Sequence, residues 1–222
     1  MTSQEPRTAV LAPIRQNATT TCAMVVVSCA AGALSAWSAW HRYHVSVDYV
    51  AGEPGVGVAT LVGADNTSAN AAVLWVLAVV ATGVLFLTWS WRARYNAERL
   101  SALPHRLARG WVIGGWLVPV VNLELPRMAL EDVWRTSRPG LMPEGVVHAR
   151  ELPRALLVRY WWISVLVCGG LAVWLMAELQ REATVAVLMD VAVITTGLAV
   201  LQVLAAVLAI RMVHQITQWQ TG

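Results

Sequence analysis

Residues 89–137 read WSWRARYNAERLSALPHRLARGWVIGGWLVPVVNLELPRMALEDVWRTS. Within this stretch, the apolar run 111–121 has only about half of the roughly 20 residues that a membrane-spanning helix needs. Small or helix-breaking residues interrupt it, namely Gly110, Gly114, Gly115 and Pro119. The run therefore predicts an interfacial or re-entrant element, with a cavity beside it, because non-helical backbone at membrane depth needs protein or water to satisfy it.

The whole chain is more apolar than a typical soluble domain, with 57% apolar and 13% charged residues among 222. Four apolar stretches are long enough for a bilayer core, at about 21–40, 71–91, 155–176 and 185–210. We therefore predict an all-α integral membrane protein with four transmembrane helices. In this prediction 1–20 form a cytoplasmic tail, 21–222 a single membrane domain, and 92–154 a re-entrant and amphipathic cytoplasmic cap.

Charge predicts the orientation. All sixteen basic residues are arginine, as expected for a high-GC coding sequence, and most lie between the second and third apolar stretches. By the positive-inside rule this connection and both termini face the cytoplasm of a bacterial cell, with the protein in its inner membrane. Cleavage of the first stretch as a signal peptide would reverse this pattern, so we expect it to be retained. The net charge of +3 does not indicate nucleic-acid binding.

The region outside the cap gives fewer signals. Residues 41–70 predict a loop, with a strand or flap at 44–50 where polar and apolar residues alternate. Ser28, Gly32 and Ser35 form a small-residue stripe that predicts close helix packing. His41 and His44 have the spacing of a metal pair but no evident third ligand, so neither a metal nor another cofactor is predicted.

Residues 126–137 predict an amphipathic helix that begins at a proline. Its apolar residues share one face, whereas Arg127, Glu131 and Arg135 form a solvated charge ladder on the other. Asp132 lies beside the apolar face and so is the better candidate for a pocket acid, although a solvated position fits it equally well.

The motif residues of this stretch resemble a family of small actinobacterial membrane proteins of unknown function. A first group of matching residues comprises Arg92, Arg94, Asn96, Ala97 and Glu98. The core of the resemblance comprises Gly110, Trp111, Gly114, Gly115, Trp116, Pro119, Asn122, Leu123 and Pro126. A third group comprises Asp132, Val133, Trp134, Arg135 and Ser137, and residues 160–162 resemble the aromatic start of that family's third membrane helix. The resemblance implies an architecture rather than an activity.

Three carboxylates are candidate acids. Asp132 and Glu124 adjoin the short Gly-rich run, and Asp190 lies in the fourth apolar stretch, where a charged group costs about 2.5–3.5 kcal/mol and is commonly functional. Interfacial water explains Asp190 equally well. Glu124 is a buried acid or a helix cap.

Indole rings crowd the predicted cytoplasmic side. An aromatic belt explains part of this; the sharper hypothesis is a cation-stabilising wall, since ring faces attract positive charge. The predicted wall consists of Trp111, Trp116, Trp134 and Trp161. Asn96 and Asn122 are candidate orienting hydrogen-bond groups, and Arg94 and Arg135 could hold a carboxylate or a polar head group.

A protonated acid beside an aromatic wall open to lipid is suited to protonating an alkene or epoxide and guiding the resulting cation. The first hypothesis is therefore a membrane-embedded terpene cyclase acting on a prenylated small molecule, similar in size, topology and residue types to small bacterial membrane cyclases. The alternative is a non-enzymatic membrane interaction or scaffold protein, which predicts Asp132 and Glu124 in salt bridges and no enclosed cavity. A transporter is a weaker third reading, and the oligomeric state is left open.

Overall fold

A computed structural model describes residues 11–140 and 152–222, and all regular secondary structure in them is helical. The long helices are α1 (Arg15–Ala51), α2 (Val58–Leu100), α5 (Leu156–Glu178) and α6 (Val185–Thr221). Between α2 and α5 lie α3 (Trp111–Leu117), a 3₁₀ turn (Val121–Leu123) and α4 (Leu125–Ser137). Each long helix is long and apolar enough to cross a membrane. The protein is therefore an all-α, multi-pass membrane protein, which confirms the predicted class.

Three of the long helices continue well beyond their apolar stretches. With 37 residues, α1 is about 55 Å long, whereas a bilayer core is about 30 Å thick. The prediction of a loop at 41–70 with a strand at 44–50 is wrong, because α1 continues to Ala51 and α2 begins at Val58. Polar contacts hold this extension together, since Arg42 pairs with Asp65 and its carbonyl accepts the Ser46 hydroxyl proton.

The chain divides into two compact units. The apolar unit consists of Cys22–Val84 and Tyr160–Ile210. The polar unit consists of Met1–Thr21, Leu85–Arg159 and Arg211–Gly222, and it includes the predicted cap at 92–154.

In the apolar unit, a glutamine side chain joins three helices. The indole Nε1 of Trp75 on α2 donates to Oε1 of Gln202 on α6 at 2.9 Å, and Gln202 Nε2 donates to the Ser28 hydroxyl on α1 at 3.2 Å. A Cβ at Gly32 would lie 2.7 Å from Gln202 Oε1. Glycine therefore permits this approach, and the buried Ser28 and Ser35 confirm that the small-residue stripe is a packing surface.

The apolar unit also contains a hydrophobic cluster formed by Leu175 of α5 with Ile194 and Leu198 of α6. Trp75 and Leu171 pack against it. Burial of such side chains from neighbouring helices, together with the Gln202 hydrogen bonds, fixes the register of these helices.

In the polar unit, the segment before α1 is held in place rather than mobile. The Asn96 side chain accepts a hydrogen bond from the Ala12 amide at 2.7 Å and donates one to the Ala12 carbonyl at 3.0 Å. Arg92 donates to the Pro13 carbonyl at 2.8 Å, and Ile14 is buried. The tail prediction is therefore wrong for residues 11–20, and its remainder, 1–10, lies outside the described residues.

Candidate functional site

The short helix α3 turns back tightly onto α4. A Cβ at Gly115 would lie 3.1 Å from the Leu125 Cβ and 3.6 Å from the Pro126 ring, so this contact depends on glycine. Between the two helices, Val120 has φ +69° and ψ −56° and is the centre of a γ-turn closed by the Val121 amide donating to the Pro119 carbonyl at 2.9 Å, a strained conformation that a β-branched residue rarely adopts. Pro126 lies in the first turn of α4, where its missing N–H costs nothing.

The turn between α3 and α4 presents apolar side chains outward. Leu117 is 75% and Val120 80% exposed, and Leu123 is also exposed. The short helix therefore satisfies its backbone locally while these apolar side chains face outward, and its interfacial location stays a prediction.

Asp132 forms the centre of the polar unit's charged cluster. Its side chain is fully buried, and both carboxylate oxygens are occupied by one residue. The Arg106 backbone N–H donates to Oδ2 at 2.8 Å, and Arg106 Nε donates to Oδ1 at 2.8 Å. Arg106 thus fixes the loop between α2 and α3 onto α4 through charge-assisted hydrogen bonds.

The neighbouring Glu131 is also buried, at 5% exposure, so the prediction that this ladder is solvated is wrong. It pairs with Arg127 one turn earlier and with Arg106 at 3.2 Å, whereas Arg135 lies 3.7 Å away. The predicted i, i+4 pairs are present, and Arg106 also pairs with the same Glu131 carboxylate from the loop before α3. Glu124 precedes α4, stays exposed and pairs with Arg127, although its side chain makes no capping hydrogen bond.

Arg94 and Asn96, predicted to bind substrate, instead bind the chain itself. Arg94 is buried and donates to Glu98 at 2.8 Å and to the Leu107 carbonyl at 2.6 Å. Glu98 also pairs with Arg109. Both polar groups of the Asn96 amide are occupied by Ala12.

His105 adds an uncharged link between the loop and α4. Its Nε2 lies 3.1 Å from the Thr136 hydroxyl, which itself donates to the Asp132 carbonyl at 2.7 Å. Because the hydroxyl has only one proton, His105 must be the donor, and its Nε2 carries hydrogen. Burial first, and then the charge of Arg94, lower the pKa of His105 to about 4 against the opposing effects of Asp132 and Glu98.

The predicted tryptophan wall is dispersed. Trp116 contacts Phe86 with ring centroids 6.3 Å apart, and Trp134 contacts Trp219 at 4.7 Å. Trp111 is exposed.

The fourth predicted wall residue, Trp161, is buried beside Trp162 and belongs to the apolar unit. Asp190 also belongs to the apolar unit, where it is exposed on the second turn of α6. Asn122 lies half-buried in the 3₁₀ turn. The structure thus brings Asp132 and Glu124 into one ion-pair cluster and places Asp190 in the other unit.

A cavity of about 120 Å³ lies between α4 and the start of α5, and arginine dominates its wall. The lining residues are Arg127, Glu131, Arg135, Arg154, Ala155, Leu156 and Arg159. This cavity contains none of the predicted wall tryptophans, and it lies to one side of Asp132.

Arg135 is the most buried cation of this cavity, at 8% exposure. Burial lowers the pKa of Arg135, and Arg106 and Arg127 act in the same direction, although Glu131 and Asp132 oppose them. Within the part of the chain that the structure describes, its Nε has no hydrogen-bond partner. A buried guanidinium with an unused donor is costly, so the site is electrostatically suited to an anion.

Residues 52–218 match the family model of DUF4328, described as a domain of unknown function. The chain belongs to this family. The match contains every residue of the predicted resemblance and extends over α2 to α6, so DUF4328 is a multi-pass helical domain in this protein. No curated protein and no solved structure matches the chain.

Several residues that organise this DUF4328 domain were missed in the sequence. Arg106 and His105 follow Pro104 in a segment without periodicity, and their partners Asp132 and Thr136 are more than 25 positions away. Gln220 is likewise buried near the end of α6 and donates to the Ala93 carbonyl at 2.8 Å and to Ser137 at 2.7 Å. One sequence signal could have indicated these contacts: the arginine-rich loop between α2 and α3 precedes a helix with two adjacent acids, Glu131 and Asp132, of opposite charge.

Proposed function

We propose that this DUF4328 protein is a non-enzymatic membrane interaction protein, whose polar unit forms a rigid docking platform at the membrane surface. The observation that carries this proposal is the occupancy of Asp132, since Arg106 donates to both of its carboxylate oxygens. Of the two readings of the sequence, only the interaction reading expects Asp132 and Glu124 in salt bridges, and both are paired.

General-acid chemistry requires different surroundings. A catalytic acid must carry a proton and hold it within hydrogen-bond reach of the substrate. Asp132 is fully buried and both of its carboxylate oxygens accept hydrogen bonds from Arg106, so neither is free to meet a substrate, and Glu124 pairs with Arg127 on the surface. These arrangements join segments of the chain, as a structural role requires.

The exposed turn between α3 and α4 supports a location at the bilayer interface. Leu117 and Val120 present apolar side chains that gain free energy in lipid. Arg138, at the end of α4, is exposed and polar. A platform with an apolar edge and a polar end at Arg138 is suited to lie at the bilayer surface, with its apolar edge in lipid and Arg138 in water.

Photo-crosslinking in native membranes tests this location and role. We expect a photoreactive residue at Val120 to form lipid adducts together with discrete protein adducts. The same residue at Arg138 should give protein adducts with little lipid. If neither lipid adducts nor protein adducts form at either position, the docking role is contradicted.

A membrane-embedded terpene cyclase is the second candidate. The observation in its favour is the number of indole rings in the polar unit, where Trp116 lies near Phe86 and Trp134 near Trp219. Aromatic faces stabilise carbocations, and each contributes up to about 2 kcal/mol when desolvated. A prenylated indole or diketopiperazine is the substrate class that this candidate requires.

Incubation of the full-length protein in membranes with farnesylated indole or diketopiperazine separates the two candidates. The interaction proposal expects no isomeric product of equal mass, and a product absent from empty membranes would overturn it. If such a product forms, E124Q and D190N test the two exposed candidate acids, whose substitution leaves the fold intact. D132N is compared with R106Q. Both variants break the ion pair between Arg106 and Asp132, but only R106Q retains the carboxylate of Asp132.

We further infer that the protein lies in the inner membrane of an actinobacterial cell, with both termini cytoplasmic. The support is the concentration of arginine between α2 and α5, in a chain without lysine. Fusions of a phosphatase that is active only outside the cytoplasm test this orientation. We expect no activity after Gly222 and activity from an insertion at Gly55, and the reverse pattern would contradict the inference.

A further inference from the structure

The arginine-lined cavity between α4 and α5 has an excess of positive charge. Among the described residues that line it, four arginines face one carboxylate, that of Glu131. Glu131 is already shared, because it pairs with Arg127 and with Arg106 and lies 3.7 Å from Arg135. Among residues 11–140 and 152–222, neither Arg154 nor Arg159 pairs with a carboxylate.

Arg135 supplies an independent sign of a ligand. Its side chain is 8% exposed and lines the cavity, yet its Nε has no hydrogen-bond partner among residues 11–140 and 152–222. A buried donor left unused costs about 1–3 kcal/mol, more when charged, so an acceptor in the cavity would recover this energy. Guanidinium groups present paired N–H donors that match the oxygens of a phosphate.

The position of the cavity further restricts the class of ligand that it could bind. Arg154 and Arg159 lie on either side of Leu156, where α5 begins as a candidate membrane span. Ala155 and Leu156 form an apolar part of the wall. The volume of about 120 Å³ far exceeds the roughly 10–15 Å³ that one water needs.

We propose that this cavity binds a phosphate ester, held by Arg135, Arg154 and Arg159 at the start of α5. An anionic phospholipid head group and a soluble phosphate ester share this chemistry. The inference does not depend on whether the polar unit is a docking platform or an enzyme, because neither Asp132 nor Arg106 lines the cavity.

The test uses purified full-length protein in nanodiscs of neutral phosphatidylcholine, with thermal unfolding as the readout. One arm adds phosphatidylglycerol or cardiolipin to the disc, and the other adds glycerol phosphate to the buffer. Ligand that binds only the folded state raises the unfolding midpoint. We expect a midpoint rise with at least one probe, weakened by salt because the contacts are ionic.

R154Q/R159Q is the informative variant, since both side chains are exposed and neither pairs with a carboxylate of the described residues. We expect it to bind at least roughly tenfold more weakly, because two charge-assisted contacts are lost. R138Q is the matched control, as it removes an exposed arginine that does not line the cavity.

The two arms identify the source of the phosphate. A rise only in anionic discs assigns the site to a lipid head group, and a rise with glycerol phosphate in neutral discs assigns it to a soluble ester. Equal binding by wild type and R154Q/R159Q with both probes would overturn the proposal. An equal loss in R138Q would also overturn it, because attraction would then reflect net charge alone.

Discussion

The Arg106 guanidinium lies 2.8 Å from the carboxylate of Asp132, a residue 26 positions later whose side chain is completely buried. This pair fastens the loop after α2 to α4. Removal of one partner from a buried pair leaves an uncompensated charge and costs about 3 kcal/mol.

R106Q should therefore destabilise the polar unit by about that amount. The double variant R106Q/D132N should lose less than the sum of the single variants, because no buried charge remains unpaired. Unfolding followed by tryptophan fluorescence measures this coupling. Strictly additive losses would show that the two side chains do not interact.

Stability should fall with acid through His105. Its pKa is about 4 in the fold and about 6.5 in an unfolded chain, so between these values the unfolded state binds more protons. The stabilisation is therefore complete above about pH 6.5 and is lost as the pH falls toward 4. Unfolding midpoints at pH 7.5 and 5 should differ less in H105Q than in wild type. H214Q, which changes an exposed histidine, should keep the full difference.

Neighbouring glycines of α3 should respond in opposite directions to alanine. Alanine gains up to about 1 kcal/mol in a helix. At Gly114 the new Cβ would meet only the Trp111 ring at 3.7 Å, so G114A should be neutral or stabilising. At Gly115 it would meet Leu125 at 3.1 Å, so G115A should lower the unfolding midpoint. Equal midpoints for the two variants would contradict the close approach of α3 to α4.

The turn after α3 should gain stability from glycine at one position. Val120 has a strained backbone conformation with a positive φ, which costs a non-glycine residue about 1–3 kcal/mol. V120G should therefore raise the unfolding midpoint. V118G removes the same side chain where φ is −93° and should bring no gain.

Gln202 should contribute measurably to the apolar unit. In Q202L, the Trp75 indole N–H loses its acceptor and the Ser28 hydroxyl loses a donor. Hydrogen bonds of this kind within membranes are worth about 0.6–2 kcal/mol. Unfolding in mixed detergent micelles should show this loss for Q202L. Q218L changes an exposed glutamine of the same helix and should leave the midpoint unchanged.

The four spans could be predicted from sequence because hydropathy reports directly on lipid burial. The ends of α1 and α2 could not, since polar helix outside a bilayer has no hydropathy signal. Residues 44–50 alternate as a strand would, but the Arg42 pair with Asp65 joins α1 to α2 there. Local alternation is a weaker determinant than continuation of a long helix already fixed by its neighbours.

The candidate site was only partly predictable. Spacing placed Glu131 one turn from Arg127 and from Arg135, and the i, i+4 geometry makes these pairings local. A further partner of Glu131, and both hydrogen bonds to Asp132, come from Arg106, which lies in a loop without periodicity. Long-range pairing of this kind leaves no trace in a helical wheel.

The side-chain amide of Asn96 forms hydrogen bonds with the backbone of Ala12, and that of Gln220 donates to the Ala93 carbonyl and the Ser137 hydroxyl. Ala12 and Gln220 both fall outside the family-matched residues 52–218. A protein truncated to residues 52–218 would keep most of α2 to α6 but would lose the hydrogen bonds between Asn96 and Ala12 and those made by Gln220. The boundaries of the recognised family are therefore narrower than those of the self-supporting molecule, and excised domains should denature more readily than the intact chain.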